Sequence, residues 1–181
     1  MKPTRRREAV LRGLLHLFWV LTLAFFFAKA EIQIEGANGW ASNLPTWRVE
    51  GHVLLGLFWG GRTLTGYHAW IFSFMALVFH TPLILSGKFA RKLWSRSLGS
   101  LMLFWIAEDF IWFALNPAYG IAKLAPQFVP WHKNWLLGWP SDYLTFSTLG
   151  ALLILYSLWP AKRQDGENAR QLEAVKNYQN K

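Results

Sequence analysis

The sequence predicts an all-α integral membrane protein, a four-span helical bundle with a structured extracytoplasmic loop lid. Three observations lead there. Of 181 residues, 53% are hydrophobic and only 16% charged, whereas soluble domains carry about 25% charged residues. Aromatic side chains make up 17% of the chain, with 12 Trp and 14 Phe, residue types that gather at membrane interfaces and in lipid-facing packing. Four apolar segments also reach the ~20 residues a helix needs to cross a ~30 Å hydrocarbon core.

The first span is expected at about 9–28, ending Phe25-Phe26-Phe27-Ala28, with Arg12 able to snorkel outward. The basic start, the apolar core Leu14–Ala28 and the small-x-small run Ala28-Lys29-Ala30 also fit a cleaved secretory signal. The apolar stretch reaching back through Ala9-Val10-Leu11 favours an uncleaved helix instead. Glu31-Ile32-Gln33-Ile34-Glu35 alternates, which places both Glu side chains on one side of an extended strand. Gly36–Trp40 reads as a turn and Leu44-Pro45-Thr46-Trp47-Arg48 as a rigid bend.

The segment at about 49–62 has an apolar core, Val53–Trp59, too short to span, and Gly60-Gly61-Arg62 interrupts it. An interfacial or re-entrant segment is expected, because irregular backbone at that depth needs shielding by protein or water. The second span is expected at about 66–86. The third, about 98–115, is bounded by Arg96 and by Asn116-Pro117. The fourth, about 142–159, ends Leu158-Trp159-Pro160. Residues 1–160 then form the bundle and 161–181 a polar cytoplasmic tail, expected to be poorly ordered, with thin support for a surface helix over Glu167–Tyr178.

Of the 19 Lys and Arg residues, 14 fall in the N-terminus, the 87–97 loop and the tail. Positive charge accumulates on the cytoplasmic side, so both termini are expected there, in a plasma (inner) membrane, with loops 29–65 and 116–141 outside. The net charge of +9 flanks apolar segments rather than forming a phosphate-binding face, which argues against nucleic acid. The absence of cysteine excludes disulfides, thiolate metal sites and cysteine nucleophiles.

Glu108 and Asp109 interrupt the third span. An ionised carboxylate at bilayer depth costs roughly 2.5–3.5 kcal/mol on insertion scales, so this pair needs protons, cations, water or a polar cavity. Trp105, Glu108 or Asp109, Trp112 and Asn116 recur at helical spacing along one stripe. Candidate partners sit in the loops and at span ends: Arg62, His68, Tyr119, His132, Lys133, Asp142 and Tyr143.

Three readings stay open for this cluster. His132, His68 or His52 with Glu108 or Asp109 makes a donor set for Zn, Fe or Mn, although no His-x-x-x-His or Glu-x-x-His spacing is present. Glu108, Asp109 and His132 suit general acid–base chemistry on a lipid or lipid-linked molecule. A purely structural role has the acids pairing with Arg62 or Lys133, or accepting from Trp and Tyr donors. His16 and His80, at similar depth, allow bis-histidine haem ligation, against the commoner bond to a backbone carbonyl or to Thr22 or Thr81. No Gly-x-Ser-x-Gly elbow or phosphate-binding Gly loop is present, and no cofactor is specified.

The stretch Leu44-Pro45-Thr46-Trp47, Phe58-Trp59 and Gly66-Tyr67-His68-Ala69-Trp70 resembles the tryptophan-rich sensory/translocator proteins that bind porphyrins and sterols. The likeness covers under a sixth of the chain. The family's five-span layout has no counterpart here, nor has Glu108-Asp109 a counterpart there, so no residue role is carried over.

The sequence thus leads to a multi-pass protein with a polar pocket open to the extracytoplasmic side, a small enzyme or binder acting on a lipid or lipid-linked molecule. In that reading Glu108, Asp109 and His132 carry the chemistry. Arg62 or Lys133 would clamp an anionic group, with His68, Trp112, Asn116, Tyr119, Asp142 and Tyr143 around the ligand. Membrane lipids are the expected partners. A proton- or ion-coupled transport component, or a non-catalytic subunit with a membrane-protein partner, is the alternative.

Overall fold

A computed structural model describes residues 3–58 and 61–159, so the expectations for Trp59, Gly60 and the 161–181 tail lie outside the described residues. Four helices are long and apolar enough to cross a membrane. α1 runs Pro3–Glu35, about 50 Å at 1.5 Å per residue. Past Pro3 its sequence holds no proline, and Gly13 is its sole glycine. It stops at Gly36, where φ is +62°, a conformation that costs glycine little.

The loop that follows contains α2, Val53–Phe58, six residues long. Strands β1, Arg48–Val49, and β2, Leu64–Thr65, pair antiparallel on either side of it. α3 covers Gly66–Leu85, N-capped by Thr65, whose hydroxyl accepts from the His68 backbone N–H. α4 covers Arg91–Leu115. A 3-10 turn at Ile121–Lys123 and the hairpin β3, Trp135–Leu136, with β4, Trp139–Pro140, lead to α5, Ser141–Leu158. The hairpin turns through Leu137 and Gly138, both at positive φ of 54° and 80°, the two-residue geometry that matches the twist of paired strands.

α4 is the hub, packing against α1, α3 and α5. It meets α5 at Gly99 and Gly150, where a Cβ built on Gly99 would lie 2.8 Å from the Gly150 carbonyl oxygen. Small residues let helix backbones approach closely where lipid leaves no hydrophobic force between helices. The Ser95 hydroxyl adds a 2.9 Å bond to the Leu153 carbonyl.

Two apolar clusters fill the interior. One joins Val20 and Ala24 of α1, Met75 and Phe79 of α3, and Phe104 of α4. The other joins Ala28 and Ile32, Trp112 and Phe113, and Val129 of the loop before β3. The outward faces carry exposed apolar side chains, among them Phe18, Phe26, Leu77 and Leu152, as a helix surrounded by lipid requires.

Three boundaries differ from the sequence reading by several residues, the first being that α1 begins at Pro3 and not at 9. α1 continues seven residues beyond 28, so Glu31–Glu35 is helical and not an extended strand. Alternation over five residues fits a strand, but an i, i+4 pair also shares one helix face, and a long helix with no stop signal before Gly36 propagates through it. α4 begins at Arg91, not 98, because Arg and Lys are good helix formers and nothing between 91 and 98 breaks the ladder.

Candidate functional site

Glu108 and Asp109 of α4 and Glu31 and Glu35 of α1 converge with loop residues on a cavity of about 350 Å³. The cavity has two kinds of wall. Leu98, Leu101, Met102, Ile106 and Phe146 make one part apolar. The rest combines carboxyl groups with Trp40, Trp105, Trp112 and Trp131.

On one side lies a closed network of charge. Asp109 Oδ2 accepts from the Tyr143 hydroxyl at 2.5 Å and from His132 Nε2 at 3.1 Å. His132 Nδ1 lies 3.3 Å from Asp142 Oδ2, and Asp142 also pairs with the Arg62 guanidinium. Arg62 Nε donates to the Trp131 carbonyl at 2.8 Å, and its guanidinium carbon sits 5.1 Å from the centre of the Trp40 ring. Burial alone would lower the His132 pKa. The hydrogen bonds and charges of Asp109 and Asp142 outweigh it and push His132 up from 6.5 to about 9. At neutral pH the ring is therefore charged, with Nε2 donating to Asp109 and Nδ1 facing both Asp142 Oδ2 and, at 3.2 Å, Arg62 Nη2. Asp109 and Asp142 thus both face His132, and Asp142 also faces Arg62.

On the other side are three carboxyls without such a balance. Glu31 accepts from the Tyr67 hydroxyl at 2.7 Å, and Glu35 accepts from the Ala41 backbone N–H at 2.6 Å. Glu108, 3% exposed, lies against the Glu31 carboxyl. Its Oε1, like Trp112 Nε1 one helical turn further along, is buried with no hydrogen-bond partner among the described residues. Ion pairs among the described residues involve none of Glu31, Glu35 and Glu108. Glu35 instead holds the turn at the cavity rim. Trp40 and Ala41 there adopt positive φ of 59° and 50°, uncommon for residues with a Cβ, and Trp40 Nε1 donates to the Thr63 carbonyl at 2.8 Å.

Of the residues the sequence singled out, Glu108, Asp109, His132, Arg62, His68, Trp112, Asp142 and Tyr143 line the cavity. His68 is buried, bonded through Nδ1 to Thr65 Oγ1 at 2.8 Å and stacked on Trp40. Three others sit elsewhere. Lys133 is exposed and outside the cavity wall. Asn116 closes the α4 C-terminus, donating to the Gly36 carbonyl at 2.7 Å and accepting from the Ala118 N–H. Tyr119 packs on Trp112, Phe113 and Trp131.

Sequence reasoning missed Glu31, Glu35, Trp40 and Trp131 as wall residues, and Tyr67 as the donor to Glu31. The i, i+4 spacing of Glu31 and Glu35, read with Gly36 as the stop signal, would have found the first two. Away from the cavity, His16 Nε2 bonds to Ser100 Oγ at 2.7 Å and His80 Nδ1 to the Ala76 carbonyl at 2.8 Å. Thr22 and Thr81, the partners suggested for them, bond instead to their own helices' carbonyls. Among the described residues no group of three or more His, Asp or Glu side chains is arranged to hold a metal ion.

Comparison of the chain with protein-family models, with curated proteins and with solved structures returned no match. The partial likeness of residues 44–70 to the tryptophan-rich sensory proteins therefore carries nothing further.

Proposed function

We propose that this is a multi-pass membrane protein whose cavity takes up an amphiphilic molecule from the outer leaflet, with Glu108 meeting the head group. The observation that carries this reading is the Glu108 carboxyl, buried to 3% exposure with Oε1 unpartnered among the described residues. A buried polar atom left unsatisfied costs about 1–3 kcal/mol, more if charged, so such an atom on a cavity wall favours an occupant that supplies the bond. The apolar stretch of wall from Leu98 to Phe146 suits a chain or ring system, and a volume of a few hundred Å³ suits a small ligand.

The positive-inside distribution of Lys and Arg supports an orientation with this end of the bundle outside and both termini in the cytoplasm. The Asp109–His132–Asp142–Arg62 network then ties the 116–140 loop over the cavity as a lid, which makes these residues positioning groups for Glu108. Tyr143, Asp109, His132 and Asp142 also form a hydrogen-bonded chain of titratable groups, which favours proton-coupled transport as a second reading. Under that reading Asp109→Asn changes proton flux in liposomes.

Extraction in mild detergent followed by lipid mass spectrometry tests the main reading. A species enriched about tenfold or more over the bulk membrane is expected with the wild-type protein and lost in Met102→Trp, which fills the apolar part of the cavity. Bulk-like lipid profiles from both proteins, each verified as folded by melting and monodispersity, would refute it.

A further inference from the structure

Resting on that amphiphile reading, we infer that the ligand's head is a cation: the site takes a long-chain ammonium compound, its nitrogen among Glu31, Glu35 and Glu108 and its chain along Leu98, Met102 and Ile106.

Charge around the cavity is unevenly balanced. Arg62 and His132 are both engaged with Asp109 and Asp142, and no described ion pair reaches the three glutamates. Glutamates held together in a largely apolar enclosure need positive charge from outside the chain, either protons or a bound cation. The aromatic lining distinguishes between these. Trp faces attract cations through the ring quadrupole, most strongly where water is excluded, and Trp105, Trp112 and Trp131 contribute to the wall beside Trp40, whose ring already carries Arg62 and His68. A site for protons alone needs neither that wall nor a cavity of about 350 Å³, when one water occupies about 30 Å³.

A second, independent polar atom points to an occupant at the same place. Trp112 is 3% exposed, its Nε1 has no partner among the described residues, and it lies one turn from Glu108 on the same face of α4. An N–H there serves an oxygen next to the ammonium, as in an amino alcohol. Selectivity follows from the same arrangement. A carboxylate or phosphate head would meet three acidic groups, and like charges in a low-dielectric site repel strongly. The guanidinium that might have answered an anion is already held by Asp142 and the Trp131 carbonyl.

The test is a chain-matched series, dodecylamine, dodecanol and dodecanoate, titrated into the full-length protein in nanodiscs. Binding is followed by the emission of the cavity tryptophans. Dodecylamine is expected to bind at least tenfold more tightly than dodecanol, with dodecanoate weakest, and Glu108→Gln is expected to remove most of that preference. If Glu108→Gln does not fold, the ranking of the three ligands on the wild-type protein decides. Dodecanol binding as well as dodecylamine overturns the cationic assignment and leaves the amphiphile site standing. If none of the three binds and no lipid co-purifies, the amphiphile reading falls as well.

Discussion

Raising the pH should loosen the loop end of this protein, and His132 sets where. Its folded-state pKa of about 9 lies above the ordinary 6.5, held there against burial by Asp109 and Asp142. A group whose pKa is raised by folding stabilises the fold fully below its unfolded pKa, and that contribution disappears as pH rises through the folded value. The window therefore runs from about 6.5 to about 9. The imidazole is almost wholly buried, at 3% side-chain exposure, so solvent screening removes little of the effect. A rise of this size is worth about 3 kcal/mol at most. For a chain of this length that is roughly 6–12 °C in melting temperature, taking about 2–4 °C per kcal/mol.

The assay is thermal melting in detergent between pH 6 and pH 10, read by tryptophan emission and by loss of monodispersity. The wild-type protein should lose stability steadily above pH 6.5. His132→Gln should melt lower at pH 6 and change little over that window. A wild-type profile flat from pH 7 to 9, or an equal fall in His132→Gln, would refute the charged network.

Further outcomes follow from the same geometry. Arg62→Ala leaves Asp142 with His132 and the Tyr143 backbone N–H as partners, and for a pair whose side chains are each 18% exposed a loss of about 1–3 kcal/mol is expected, below or at the low end of a fully buried pair. Arg12→Ala, in a pair whose side chains are 80% and 63% exposed, should change melting by the equivalent of about 0.5 kcal/mol or less. Equal effects of the two would contradict the account. Tyr143→Phe removes the 2.5 Å bond to Asp109 and should cost about 1.5 kcal/mol, measured by the same melts. Gly99→Ala places a Cβ 2.8 Å from a backbone oxygen of α5, which cannot move cheaply, so a loss of about 1–3 kcal/mol is expected. Gly56→Ala, with nothing within 4 Å of the added Cβ, is its control.

By itself the sequence determined how many helices could cross a membrane and where their apolar middles lie. Length and hydropathy are local quantities, and the bilayer demands that each span satisfy its own backbone. It also singled out Glu108 and Asp109, because charge inside an apolar run is conspicuous without any fold. Which acid would be balanced and which would not was decided by tertiary structure. Glu108 and Asp109 are chain neighbours, yet about 100° of helix rotation turns one toward α1 and its glutamates and the other toward His132 and Tyr143. Only the packing of α1 beside α4 brings Glu31 and Glu35 to the same cavity, residues that looked like part of a short strand from local alternation. The loop contacts of Arg62 with Asp142, 80 residues apart, and of His132 with Asp109 have no local signal either. Ion pairing across such separations depends on where the helices leave their ends, and that is a property of the assembled bundle.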